Sequence, residues 1–219
     1  MHVLLPSLRA THEVLVERMN TASERRATLQ RPRDRYPATD TFLSSISRHV
    51  AALNEVLVPR AQRELPDGRE RAKEFTRASK QLERALAQVK GKLYGSTYSV
   101  RRGWSDVWDD VQRRYNEFWE VERALARDLD AGTAPDDDHD PAEAVYRSEL
   151  KAPTRPHPYV PHRGVLGQVA RRVCVQVDHF WDTTEGRMIP APIRHHDRRS
   201  DGRMTQYLLA DPHLDEPAG

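Results

Sequence analysis

The 219-residue chain has one cysteine, Cys174, so it forms no internal disulfide, and a lone thiol suits a reducing compartment. No stretch approaches the ~18 consecutive apolar residues that a membrane-crossing helix needs. An excess of one charge is missing too. The 35 Lys and Arg against 33 Asp and Glu leave a net charge of +2, which offers no global field for nucleic acid. The opening MHVLLPSLRATHEVL has no basic lead and no small-residue cleavage site, so it is expected to start a helix rather than serve as a signal peptide. The expected compartment is the cytoplasm. There is no Gly-rich phosphate loop, nucleophile elbow, HExxH or paired-cysteine zinc spacing, so no residue is singled out as catalytic.

What is present is helical pattern. Hydrophobic residues make up 37% and charged residues 31%, a balance that fits solvated helices around a narrow core better than a buried parallel sheet. The stretch Thr41 to Leu65 is the organising one. Leu43, Ile46, Val50, Leu53 and Leu57 draw one stripe along it, with His49 at its edge. A first helix from Pro6 to about Gln30 places Leu8, His12, Leu15 and Met19 on one face. The second opens near Asp40 as N-cap and carries Pro59, where a kink is expected.

The turn Pro66–Gly68 leads into a third helix marked by Ala72, Phe75, Leu82, Leu86 and Val89, stopped by Gly95. A fourth, marked by Trp104, Trp108, Val111, Tyr115, Phe118 and Leu125, carries Glu122 on the same stripe and stops at Gly132. Four amphipathic segments of roughly 25 residues with short connections predict an all-α, antiparallel up-and-down four-helix bundle over residues 1–132.

Composition then shifts. Residues 133–162 are acidic and proline-rich and read as a linker with a short helix at Pro141–Leu150. A C-terminal amphipathic helix is expected over 163–186, with Leu166, Val169, Val173, Val177, Phe180 and Trp181 as its apolar face. Docking of that face onto the bundle is the first expectation, a protein partner or second copy the next, and an anionic membrane, through Arg171 and Arg172, the last. Residues 187–219 have the composition of a disordered tail. His157, His162, His195 and His196 read as polar loop residues, and Cys174 as a small hydrophobe.

His12, His49 and Glu122 are the polar residues that stand out on or beside the inward stripes of three helices, where facing side chains of a bundle can build a metal site. Two imidazoles and a carboxylate suit iron or a similar divalent ion. The alternative is an edge histidine, a sideways histidine and an interior glutamate held by an arginine.

THEVL at Thr11–Leu15 and HVAALNEVLVP at His49–Pro59 resemble the first two helices of the hemerythrin-like cation-binding family. QLERALAQVKGKLYG at Gln81–Gly95 and EFWEVERALARDL at Glu117–Leu129 are similar to its third and fourth, so the resemblance spans about residues 4–131. It implies a metal-holding bundle whose ligands would include His12, His49 and Glu122. The departures are specific. Leu53 stands where the bridging Glu belongs, no histidine occurs between His49 and His139, and Phe118 takes the place of the fourth-helix ligand. A diiron site is therefore not expected. What the resemblance leaves is one iron or other divalent ion, or none. With a metal, the ligand would be dioxygen, nitric oxide or peroxide, and Leu53, Phe118 and Trp119 would wall the pocket. Without one, the chain would be an interaction module using the scaffold and its C-terminal helix.

Overall fold

A computed structural model describes residues 4–95, 101–132, 140–158, 173–178, 182 and 189–193. The described residues are mostly helical, with no strand among them: α1 (Leu4–Glu24), α2 (Tyr36–Glu64), α3 (Gly68–Leu93), α4 (Trp104–Gly132) and α5 (Pro141–Leu150), then a helical stretch at 173–178.

Each long helix buries the stripe its sequence spells. Leu4, Leu8, Leu15 and Met19 of α1 are inside, as are Phe75, Leu82, Leu86 and Val89 of α3, and Val111, Tyr115, Phe118 and Leu125 of α4. α1 packs on α2 and α4, and α3 packs on α2 and α4, so the four surround one shared apolar core. At ~25 cal/mol per Å² of apolar surface removed from water, this core is the main favourable contribution to folding.

The helix ends differ from expectation in three places. α1 runs from Leu4, upstream of Pro6, and stops at Glu24, short of Gln30. α2 begins at Tyr36, upstream of Asp40, because Pro37 in the first turn is preorganised for helix and needs no donor there. The turn into α3 is tight. A Cβ on Gly68 would lie 1.7 Å from the Ala61 carbonyl oxygen, so only glycine fits. Gly95 ends α3 at a φ of 82°, as the sequence predicts.

α5 is more than a linker helix. Asp140 caps it by accepting from the amides of Ala142 and Glu143, Pro141 takes the first turn, and the helix lies along α2 with Ala142 and Val145 buried. α2 is consequently covered on more than one side, and its Ser44, Ser47, Ala51 and Asn54 are buried as well. The following segment is also packed, with residues 152–156 all buried.

Helical residues 173–178 invert the expected facing. Asp178 is 2% exposed and Asp182 5%, whereas Val173 and Val177 are 54% and 45% exposed. The acids are drawn inward because buried donors meet them. Asp178 accepts from the Arg155 amide at 3.0 Å and contacts His157 Nε2 at 3.1 Å, and Asp182 accepts from the Thr154 hydroxyl and the Arg155 guanidinium. His157 is thus half-buried and bonded, not a loop residue in solvent. Leu166, Val169, Phe180, Trp181, His162 and the tail from 194 onward lie outside the described residues. No helix among the described residues is long and apolar enough to cross a membrane.

Candidate functional site

The polar centre of the fold is His49. It lies midway along α2, on the side between α4 and α5, and is 2% exposed. Its Nε2 meets Glu122 Oε1 of α4 at 3.1 Å and its Nδ1 meets Glu149 Oε1 of α5 at 2.7 Å. Glu122 and Glu149 are themselves 2% and 5% exposed. Three helices distant in sequence therefore meet at one imidazole through its two ring nitrogens.

Burial by itself would lower the His49 pKa. The charge of Glu122, its hydrogen bond, and then those of Glu149 outweigh it and hold the pKa at about 10. Burial pushes the Glu122 carboxyl up, the His49 charge and hydrogen bond oppose this, and the Glu149 charge adds to the rise. At neutral pH the centre is an imidazolium donating from both nitrogens, the form that satisfies two acceptor carboxylates at once.

His12 takes a different position. Its ring stacks on Trp119 at 4.0 Å and on Tyr115 at 5.1 Å between centroids. Burial, and then repulsion from His49, lower its pKa, so it is the neutral histidine of the pair. Its Nδ1 is buried with no hydrogen-bond partner. Tyr115 reaches back to the His12 carbonyl at 3.4 Å, and burial followed by the Glu122 charge raises its phenol well above the ordinary value.

Of the three residues predicted as a site, the fold joins His49 and Glu122 and leaves His12 in an aromatic stack. The metal that the resemblance implies does not fit this arrangement. His49 Nδ1 is committed to Glu149, and Glu122 lies across the ring from it. Among the described residues no three His, Cys, Asp or Glu side chains are grouped to hold an ion. Where the resemblance places further ligands, Leu53 and Phe118 are 0% exposed and complete the apolar core.

Glu149 is the partner that sequence reading missed. Periodicity placed it on a short helix in a linker. A signal did exist in α2: between Asp40 and Glu55 its only charged residues are Arg48 and, when protonated, His49. A helix that is apolar or neutral nearly all round is covered on more than one side. Cys174 is half-buried, and burial, then the charges of Asp178 and Glu83, push its thiol up, which fits an unreactive side chain.

No family model, curated protein or solved structure matches the chain.

Proposed function

We propose that this protein is a non-catalytic interaction module on a hemerythrin-like, four-helix up-and-down scaffold, in which a protonated histidine stands where the scaffold would hold an ion. The observation that carries this reading is the two-sided clamp on His49, whose ring nitrogens are both taken by carboxylates. An imidazolium between two acids supplies the positive charge that a cation would otherwise bring, and it ties α2, α4 and α5 together. The apolar Leu53 and Phe118 at the lost ligand positions support the same view. The interaction surface would include the C-terminal helix, since Val173 and Val177, four residues apart, point outward from residues 173–178.

A second reading keeps a single iron or other divalent ion that binds dioxygen, nitric oxide or peroxide. One observation favours it, the buried and unpartnered Nδ1 of His12. Metal analysis separates the two readings. Protein made without a His-tag in iron-supplemented medium is expected to carry far less than one ion per chain. Its His49 side-chain nitrogens should both be protonated by NMR at neutral pH. Stoichiometric iron that disappears in His12→Ala and His49→Ala would overturn the metal-free reading.

A further inference from the structure

Beside His49, on the side away from Glu122, lies a small indentation framed by Arg18 of α1, Ser45, Arg48 and His49 of α2, Glu149 of α5, and the short strap 190–193. Among the residues that line it, two guanidiniums face a single carboxylate, that of Glu149, whose Oε1 is already engaged by His49.

Several arginines elsewhere in the fold have acids at hand, as in Arg60–Glu64, Arg71–Asp128, Arg113–Asp110 and Arg147–Glu143. Among the described residues, Arg18 and Arg48 form no ion pair. Arg18 Nη1 donates to the Ser45 hydroxyl, and Arg48 Nη1 donates to the Pro190 carbonyl at 2.8 Å. Arg48 Nε is buried and unsatisfied. Glu17 and then Glu149 act on Arg18, and Glu149 and then Asp182 on Arg48, through charge without an ion-pair contact. Burial lowers the pKa of both arginines, the mark of cations withdrawn from water without full compensation.

A guanidinium presents a planar fork of donors matched to the oxygens of a carboxylate or phosphate. Here two forks converge from neighbouring helices, and their acceptors are a hydroxyl and a backbone carbonyl, both neutral. We propose that this pocket binds the anionic group of a small oxyanion ligand, a carboxylate or phosphate held between Arg18 and Arg48. The ligand's oxygens take the place of the Pro190 carbonyl. With the strap in position the enclosed space admits only a water-sized occupant, so binding displaces residues 190–193 from Arg48. The proposal does not depend on whether the buried centre holds an ion.

The test is calorimetric titration of the full chain with inorganic phosphate and, separately, acetate, at constant ionic strength. Saturable binding of at least one of them in the millimolar range or below is expected, and the stronger of the two identifies the head group. Arg18→Gln and Arg48→Gln should each weaken binding about tenfold or more, the usual effect of losing a charge-assisted hydrogen bond. Arg33→Gln, on an exposed connector, should leave it unchanged. Should either glutamine variant fail to fold, Arg18→Lys keeps the charge, loses the fork and should still weaken binding. Absence of saturable heat with both anions, or equal weakening by Arg33→Gln, would overturn the proposal.

Discussion

The four long helices and the chain that follows them are held by opposite means. α1 to α4 meet through apolar stripes, with Leu15, Leu53, Leu82 and Phe118 at most 1% exposed. Beside the apolar contact of Ala142 and Val145, the described residues after 140 are tied by polar groups: Glu149 on His49, Ser148 on Glu55, Arg155 beneath Asp178 and Asp182, and the Pro190 carbonyl on Arg48. Apolar burial is non-directional and tolerates many arrangements, whereas a buried charge is stable only with its partner in place. The first region therefore sets the fold, and the second is positioned by a few specific contacts.

The largest effect should come from breaking the one contact set that spans both regions. Glu122→Ala leaves the His49 imidazolium buried with half its partners and should cost about 3–5 kcal/mol in urea unfolding, as removal of one member of a buried ion pair does. The comparison sharpens when all three members are replaced. His49→Leu with Glu122→Leu and Glu149→Leu should recover most of that loss, since apolar groups of similar volume often equal a buried ionic cluster. A triple variant as unstable as Glu122→Ala would mean that the region around α5 needs this charged centre for reasons beyond its energy.

The apolar region was legible from sequence because its signal is periodic. Steps of three and four through Leu43, Ile46, Val50, Leu53 and Leu57 are repeated evidence for one face, and all five are buried. The polar region carries no such repetition. Glu149 pairs with His49 across 100 positions, and no local pattern announces a pairing of that separation. Residues 173–178 were read the wrong way round for a related reason. Amphipathic reasoning sends Val173 and Val177 inward, but Arg155, Thr154 and His157 supply donors that make burial of Asp178 and Asp182 the better solution. His49 and Glu122 could be chosen as polar residues on apolar faces, whereas the placement of His12 between Tyr115 and Trp119 depends on packing that spacing does not encode.

A pH series probes the same spanning contact more gently. The His49 pKa is 6.5 in the unfolded chain and about 10 in the folded one, so folding takes up a proton between those values. Its stabilisation is complete below pH 6.5 and is lost as pH rises toward about 10. The raised Glu122 carboxyl acts in the same direction. Unfolding free energy should fall across that window by on the order of a few kcal/mol, and the triple-Leu variant should show a much flatter profile. A wild-type profile as flat as the variant's would show that His49 is not protonated in the fold.

The smallest effect is expected where the second region is anchored to itself. Asp178→Ala removes the acceptor of the Arg155 amide and the partner of His157 Nε2, while Asp182 still holds Thr154 and the Arg155 guanidinium. Leaving one buried donor unsatisfied costs about 1–3 kcal/mol. Because the broken bonds lie within this segment rather than between it and the four long helices, the cost should appear locally rather than as global unfolding. Hydrogen exchange at the Arg155 amide should accelerate about tenfold or more, while amides of α3, facing the apolar core, stay as protected as in the wild type. Equal acceleration in α3 would mean that the two regions unfold as one cooperative unit, and the division between an apolar frame and a polar attachment would then describe contacts but not stability.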